Sequence, residues 1–175
     1  WSPDRQALFE DKISRLTASA GFALSWVENP EWVSFCQEFL PSAKLFSRKS
    51  LSDRILPTTL KTIRDEAKTT TKGQKVTLQC DGWTGVNNHH FQAFMMTTEE
   101  RKLFTVGVSD TSSSRKTAAN LLVLMKEIMN TVQRDWGAIV IAFTTDASGE
   151  SRRARLDLHL EFPSLVTPDC WAHQV

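Results

Sequence analysis

The sequence contains no tyrosine. A recombinase or topoisomerase that forms a phosphotyrosine intermediate is therefore excluded within this segment. There is also no run of about eighteen apolar residues, so the sequence predicts no membrane-spanning segment and no membrane partner. Charge of either sign is not in excess, because 21 basic residues stand against 20 acidic ones. Any nucleic-acid surface must therefore be a local patch.

Cysteine is scarce as well. Cys36, Cys80 and Cys170 are odd in number and lie far apart, which is typical of reduced intracellular thiols rather than of a secreted disulfide framework. Apolar residues make up 41% of the 175 positions, enough for one sizeable core with a helical appendage. The chain begins at Trp1 rather than at a methionine, and its last residues before Val175 include no residues that typically end a structural element. We therefore expect it to be a piece of a longer protein.

The first part of the sequence favours helices. Ser2 before Pro3 is a helix-start signal, and Asn29 before Pro30 repeats it. A third helical stretch begins near Ser50 and is expected to be interrupted or kinked at Pro57. Residues 69–75 are polar and contain a glycine, which predicts a linker. We therefore expect a helical lead-in region over residues 1–72.

The pattern changes to β after the linker, and residues 73–175 are expected to form the truncated N-terminal part of a second domain. A period-two strand starts at Val76 and ends at Asp81, and turn residues follow over 82–88. The remaining predicted elements are strands over 91–97 and 102–109, a helix over 115–134, a buried strand over 138–143, a helix over 148–160 and a fifth strand starting near Leu165.

This order predicts an α/β fold with a ribonuclease H-like mixed sheet: a three-strand meander, a helix, a parallel strand and a helix. The crossover helix brings the fourth strand beside the first and parallel to it. Asp81 and Asp146 end those two strands, so both carboxylates should emerge at one sheet edge. Neighbouring carboxylates repel unless a cation lies between them, and oxygen ligands suit Mg²⁺ or Mn²⁺. The sequence therefore predicts a catalytic metal site at Asp81 and Asp146, although either residue alone is more often a cap or turn residue.

Three motifs in this order resemble those of hAT-type transposases. Residues 80–84 (CDGWT) resemble the family's first-aspartate motif, residues 144–148 (TTDAS) its second, and Cys170 with His173 its Cys-x-x-His signature; residues 47–52 resemble its lead-in segment. The resemblance implies cut-and-paste DNA transposition by metal-dependent strand cleavage and transfer, with DNA as partner, a nuclear location, and homo-oligomers formed through regions outside this chain. It also assigns Trp83, Cys170 and His173 to structural motifs.

The sequence departs from that family at two points. Ala147 follows the second aspartate where the family usually has asparagine. The family's third catalytic residue is a glutamate far downstream, and this chain ends at Val175 without a counterpart, so the chain alone is expected to be inactive. A rival hypothesis therefore stays open, in which the protein is a domesticated, inactive transposase relative that binds DNA or dimerises. Phosphatase and proofreading-exonuclease motifs both need an acid where this chain has Trp83.

Other residues carry two interpretations each. Arg152, Arg153 and Arg155 on the helix after Asp146 could contact phosphate, although a solvated helix face is the commoner arrangement. Trp83 could stack on a base, although an aromatic residue after a strand is more often part of the core. Cys170 and His173 supply only two of the four ligands that structural zinc needs, which favours a packing role. His89 and His90 are expected to be solvated.

Overall fold

A computed structural model describes residues 1–170 of the chain. It contains two compact units, one formed by Trp1–Glu66 and the other by the residues from Ala67 onward. No helix within residues 1–170 is both long enough and apolar enough to cross a membrane.

The first unit is helical, as the sequence predicts. Ser2 caps its first helix by accepting a hydrogen bond from the backbone N–H of Arg5 at 3.3 Å. Asn29 caps a second helix by accepting from the N–H of Glu31 at 2.9 Å, so both predicted helix starts are confirmed. The helices are α1 (Pro3–Ala20), a 3-10 turn (Leu24–Glu28), α2 (Pro30–Phe39), α3 (Arg48–Ser50), a π-helical turn (Leu51–Ile55) and α4 (Leu56–Thr71).

The third helical stretch runs through Pro57, the second residue of α4, so the predicted interruption at that residue is wrong. The departure from α-helical geometry lies before it, in a π-helical turn over Leu51–Ile55. The ring nitrogen of Pro57 cannot donate a helical hydrogen bond. Helix α4 then continues to Thr71, so the prediction of a linker from residue 69 is wrong for its first three residues. The buried hydroxyl of Thr71 donates to the carbonyl of Ala67 at 3.0 Å, which lets a polar side chain end the helix inside the second unit.

The second unit contains a four-stranded mixed sheet in the order β3-β2-β1-β4. The first three strands form an antiparallel meander, and β4 pairs with β1 in parallel. This is the ribonuclease H-like arrangement that the sequence predicts, and the prediction is confirmed. The elements are β1 (Lys75–Thr84), β2 (His90–Thr98), β3 (Leu103–Asp110), α5 (Ala118–Asp135), β4 (Ile139–Thr145) and α6 (Gly149–Glu161).

Strand β1 is longer than predicted. The sequence predicts turn residues from 82 onward, but Trp83 pairs with Phe91 and Thr84 with His90 in the antiparallel ladder. Tryptophan and threonine both favour strands, and the turn is confined to residues 85–89. The predicted fifth strand is reduced, within the described part of the chain, to two isolated parallel bridges that join Val166 and Asp169 to β4.

The core of the second unit lies against one face of the sheet. The period-two pattern of β1 buries Val76, Leu78 and Cys80, as predicted. Helix α5 buries Leu121, Met125, Met129 and Val132 at helical spacing, and it begins at Ala118 because Thr117 is its N-cap. Strand β4 was expected to be buried on both faces. That expectation is wrong for Ile139 and Ile141, whose side chains are 51% and 40% exposed.

Candidate active site

The register between β1 and β4 determines where the two aspartates lie. Cys80 is the parallel partner of Thr145, the last residue of β4. Asp81 and Asp146 each follow immediately along the chain. The prediction that Asp81 ends its strand is wrong, because Asp81 pairs with Ala93 within β1, which continues to Thr84. Asp146 does follow the end of β4, at the carboxyl edge where an open α/β sheet binds its ligands.

The two carboxylates have different environments. Asp81 is exposed, and its Oδ1 accepts from the backbone N–H of Gly82 at 2.9 Å. Asp146 is half-buried, and its Oδ1 accepts from the N–H of Ser148 at 3.3 Å and from the Ser148 hydroxyl at 3.0 Å. The turn that begins α6 therefore holds Asp146, whereas Asp81 keeps more of its oxygen surface open to solvent.

Both acids affect the pKa of the buried Cys80 thiol. Burial, followed by the negative charges of Asp146 and Asp81, raises the pKa of Cys80 to about 12. The thiol donates to Oε1 of Gln92 at 3.0 Å. The carboxylates of Asp81 and Asp146 are hard oxygen donors, of the kind that Mg²⁺ prefers. No cluster of three or more histidine, cysteine, aspartate or glutamate residues that could hold a metal occurs within residues 1–170.

Arg155 occupies a different place from the one predicted. Its side chain is only 3% exposed, and its Nη1 donates to the carbonyls of Thr145 and Asp146 at 3.2 and 2.6 Å. It also donates to the Thr145 hydroxyl and forms an ion pair with Asp169. Desolvation lowers the pKa of Arg155, and the charge of Asp146 opposes that shift. A guanidinium held in this way does not fit the predicted phosphate contact, and it fixes the carboxyl end of β4 instead.

The other two arginines of α6 remain at the surface. Arg152 and Arg153 are both exposed. The Nε of Arg153 donates to Oδ2 of Asp157 at 2.9 Å, an ion pair one helical turn away. The structure is compatible with phosphate contact and with a solvated helix face for these two side chains, and their role stays a prediction.

A cleft of about 500 Å³ opens beside Asp146. Its walls come from the end of β1, the start of β2, the end of β3, the loop over residues 111–117 and the first turns of α5 and α6. Trp83 lines it and is 47% exposed, so the favoured prediction of a core position for Trp83 is wrong. The cleft also contains two exposed cations, Arg115 and Lys116, which sequence reasoning missed because no motif marks them.

The adjacent histidines support the strand ends that border the cleft. His89 Nδ1 lies 2.9 Å from Oδ2 of Asp110, and His90 Nδ1 lies 3.0 Å from the hydroxyl of Thr84. Both histidines are exposed, as predicted, although each has a hydrogen-bond partner. Hydrogen bonds from the hydroxyl and the backbone N–H of Ser112, followed by that of His89, lower the pKa of Asp110 to about 2.

The Cys-x-x-His motif is described only at its first residue. Cys170 is half-buried, and its backbone N–H donates to the carbonyl of Thr145 at 2.9 Å. This bond ties the motif to the last residue of β4, next to Asp146. His173 lies outside the described residues.

A family model described as "Domain of unknown function (DUF659)" matches residues 46–175 of this chain. The chain belongs to the DUF659 family. The matched region includes Asp81, Asp146, Arg155 and every residue that lines the cleft. No curated protein matches the sequence.

Solved structures give distant matches to this DUF659 chain. The crystal structure of human ENDOV is 8% identical, with a TM-score of 0.34, and the match covers 53% of this chain and 48% of that one. A chain of the simian T-cell lymphotropic virus intasome in complex with the PP2A regulatory subunit B56 gamma is 11% identical, also with a TM-score of 0.34. That match covers 70% of this chain and 45% of the other. The chain thus spans about half the length of these structures.

Proposed function

We propose that this DUF659 chain is part of a cut-and-paste DNA transposase of the hAT type. In this proposal Asp81 and Asp146 are two of its three catalytic carboxylates. The intact protein cleaves DNA strands and transfers them, works in the nucleus and forms homo-oligomers through regions outside this chain. The observation that carries the proposal is the parallel pairing of Cys80 with Thr145, since Asp81 and Asp146 are the next residues along the two paired segments.

Three further features support this assignment. The sheet order β3-β2-β1-β4 is ribonuclease H-like, a fold arrangement suited to an active site between the first and fourth strands. The sequence motifs around both aspartates and around Cys170 resemble those of hAT transposases. The backbone N–H of Cys170 donates to the carbonyl of Thr145, so the first residue of the third motif lies beside the end of β4.

The donor set fits Mg²⁺ or Mn²⁺ in part. Asp81 and Asp146 offer hard oxygens, the ligands that these ions prefer. When bound, one or two divalent ions would activate water and stabilise the leaving oxygen of a phosphodiester. Within residues 1–170 the set stops at two carboxylates, so a further ligand must come from elsewhere in the protein. The residues present hold the acids in position: Ser148 orients Asp146, and Arg155 fixes the backbone beneath it.

Manganese relaxation and strand-cleavage assays test the proposal. Mn²⁺ should bind the chain weakly, and Asp81→Asn or Asp146→Asn should each remove that binding. In the longer protein that supplies the third carboxylate, each variant should abolish Mn²⁺-dependent cleavage while leaving DNA binding largely intact. Asp135→Asn is the matched control, because Asp135 ends α5 and pairs with Arg134. An Asp146→Asn protein that still cuts DNA would refute the catalytic assignment. A parent protein that binds DNA without cutting it would favour the rival hypothesis, in which the protein is a domesticated, inactive transposase relative.

A further inference from the structure

The cleft beside Asp146 contains a stack of aromatic rings. The rings of Trp83 and Phe91 have centroids 5.4 Å apart and planes inclined by 28°. The ring of His89 also lies near that of Phe91, with centroids 6.1 Å apart and planes inclined by 19°. Phe91 therefore contacts both other rings, and Trp83 remains 47% exposed. Trp83 and Phe91 both line the cleft.

The same cleft contains cations that no acid neutralises directly. Arg115 and Lys116 are exposed and line the cleft, and neither forms an ion pair with any described residue. They precede Thr117, the N-cap of the 18-residue helix α5, whose N-terminal end adds partial positive charge. Four acids also line the cleft: Asp110 at the end of β3, Glu127 on α5, Asp146 after β4 and Glu150 at the start of α6.

We propose that this cleft binds an unpaired nucleotide of a DNA strand, with its base stacked on the exposed ring of Trp83 and its flanking phosphate held by Arg115 and Lys116. The inference depends on the proposed function for its choice of nucleic acid as ligand. Proteins bind single strands without reading their sequence by combining an exposed aromatic ring with nearby cations that form no ion pair. Bases inside a duplex have both faces covered and are held by their partners, so an unpaired base can insert against Trp83 whereas a paired base cannot.

The proposal gives the cleft a specific task beside Asp146. A strand held by its base on Trp83 and by its phosphate on the 111–117 loop would pass next to Asp146, because all of these residues line one cavity. The cavity volume of about 500 Å³ has room for a nucleotide rather than for a double helix. Trp83, Arg115 and Lys116 thereby become positioning residues for a strand in the active site, separate from the acids that act on it.

Binding assays in EDTA test the inference without any metal. The whole protein is titrated with a fluorescein-labelled single-stranded 12-mer of mixed sequence and with the matching blunt duplex. Trp83→Ala and Trp83→Leu should each weaken single-strand binding by about fivefold or more, because the aromatic face is lost. Trp83→Phe should retain most of the affinity, and duplex binding should change little. Leucine keeps apolar cover over Phe91, so a folding defect confined to the alanine variant does not decide the outcome.

The cations are tested in the same assay at several salt concentrations. The double variant Arg115→Ala with Lys116→Ala should reduce the salt slope for single-strand binding by about 1.4, or about 0.7 for each lost contact. Lys102→Ala is the control, because Lys102 precedes β3 at the end of the sheet far from the cleft. Unchanged single-strand affinity in a folded Trp83→Leu protein would overturn the proposal, as would an equal loss for single strand and duplex.

The outcome is independent of catalysis. A protein that binds the single strand through Trp83 in EDTA but never cleaves DNA with Mn²⁺ would keep this inference and refute the proposed function. A protein that cleaves DNA with unchanged single-strand binding in Trp83→Leu would keep the function and refute this inference.

Discussion

The Nη1 atom of Arg155 lies 2.6 Å from the carbonyl oxygen of Asp146. The same guanidinium also bonds the carbonyl of Thr145 and pairs with Asp169. One buried cation therefore holds together the end of β4, the start of α6 and the segment after α6. Charged side chains are almost never fully buried unless they are paired in this way.

Arg155→Ala should destabilise the protein by about 2–4 kcal/mol, since it leaves buried carbonyl oxygens without their donor and Asp169 without its partner. Asp169 is 38% exposed, so solvent offsets part of the loss on that side. Urea unfolding measures the change. Arg152→Ala is the matched control on the same helix and should alter stability by less than about 0.5 kcal/mol. Equal stabilities for the two variants would contradict a bracing role for Arg155.

Two leucines of α6 provide a test of the core. Leu158 is fully buried, whereas Leu160 is 76% exposed. Leu158→Ala should cost about 2–5 kcal/mol because it removes apolar contacts and leaves a cavity, and Leu160→Ala should cost less than about 0.5 kcal/mol. Thermal or urea unfolding of both variants measures the difference. Similar losses would show that α6 does not pack on the sheet through this face.

The sequence predicts the sheet order and the end of β4 before Asp146 well, because these depend on local patterns, whereas β1 runs past Asp81 to Thr84. Alternation in β1 and the apolar run of β4 define two strands, and a crossover helix between them leaves only one favourable pairing. The pattern misleads at Arg155 and Trp83. Arg155 follows other charged residues, a pattern typical of a solvated helix face. Its burial is favourable only because it binds the carbonyls at the end of β4 and pairs with Asp169, which is distant in sequence. Trp83 is 47% exposed, and the stacking contact with Phe91 across the hairpin covers only part of its ring. No local period encodes that arrangement.

The hydrogen bonds of Asp110 should be visible in its titration. Its pKa is lowered to about 2, first of all by the hydroxyl of Ser112. The stabilisation that this carboxylate gives is therefore complete above about pH 4 and is lost as the pH falls through about 2. Carboxyl NMR should give a midpoint near 2 in the parent protein and a higher midpoint in Ser112→Ala. Asp135, whose pKa is lowered by Arg134, is the internal control and should not move. An unchanged Asp110 midpoint in Ser112→Ala would contradict the assigned cause.

The exposed arginines of α6 give a separate test of DNA contact. Arg152→Ala and Arg153→Ala should each weaken duplex binding uniformly across sequences and reduce the salt slope by about one, if they meet phosphate as proposed. Arg153 must break its ion pair with Asp157 before it can contact phosphate, so Arg153→Ala should weaken binding less than Arg152→Ala. Fluorescence anisotropy at several salt concentrations measures both variants, with Arg134→Ala as control at the far end of α5. Unchanged slopes would assign both side chains to a solvated helix face.

Ser148 links the helix start to the candidate catalytic acid. Its hydroxyl lies 3.0 Å from Oδ1 of Asp146, and its Oγ also accepts from the N–H of Ser151 as the N-cap of α6. Ser148→Ala removes both interactions, so it should lower stability by about 1 kcal/mol. It should also slow Mn²⁺-dependent cleavage by the longer protein by about tenfold, because Asp146 loses a donor that orients it.

Replacing Ser148 with threonine separates the two roles. Ser148→Thr keeps the hydroxyl, so it should restore most of the cleavage rate and most of the stability. The alternative N-cap Ser148→Asn should restore stability, but it changes the donor that faces Asp146 and should leave cleavage slow. A Ser148→Asn protein that cleaves at the parental rate would show that the hydroxyl matters only as a helix cap. Slow cleavage in a stable Ser148→Asn protein, together with rescue by threonine, would make the hydrogen bond to Asp146 part of the catalytic arrangement.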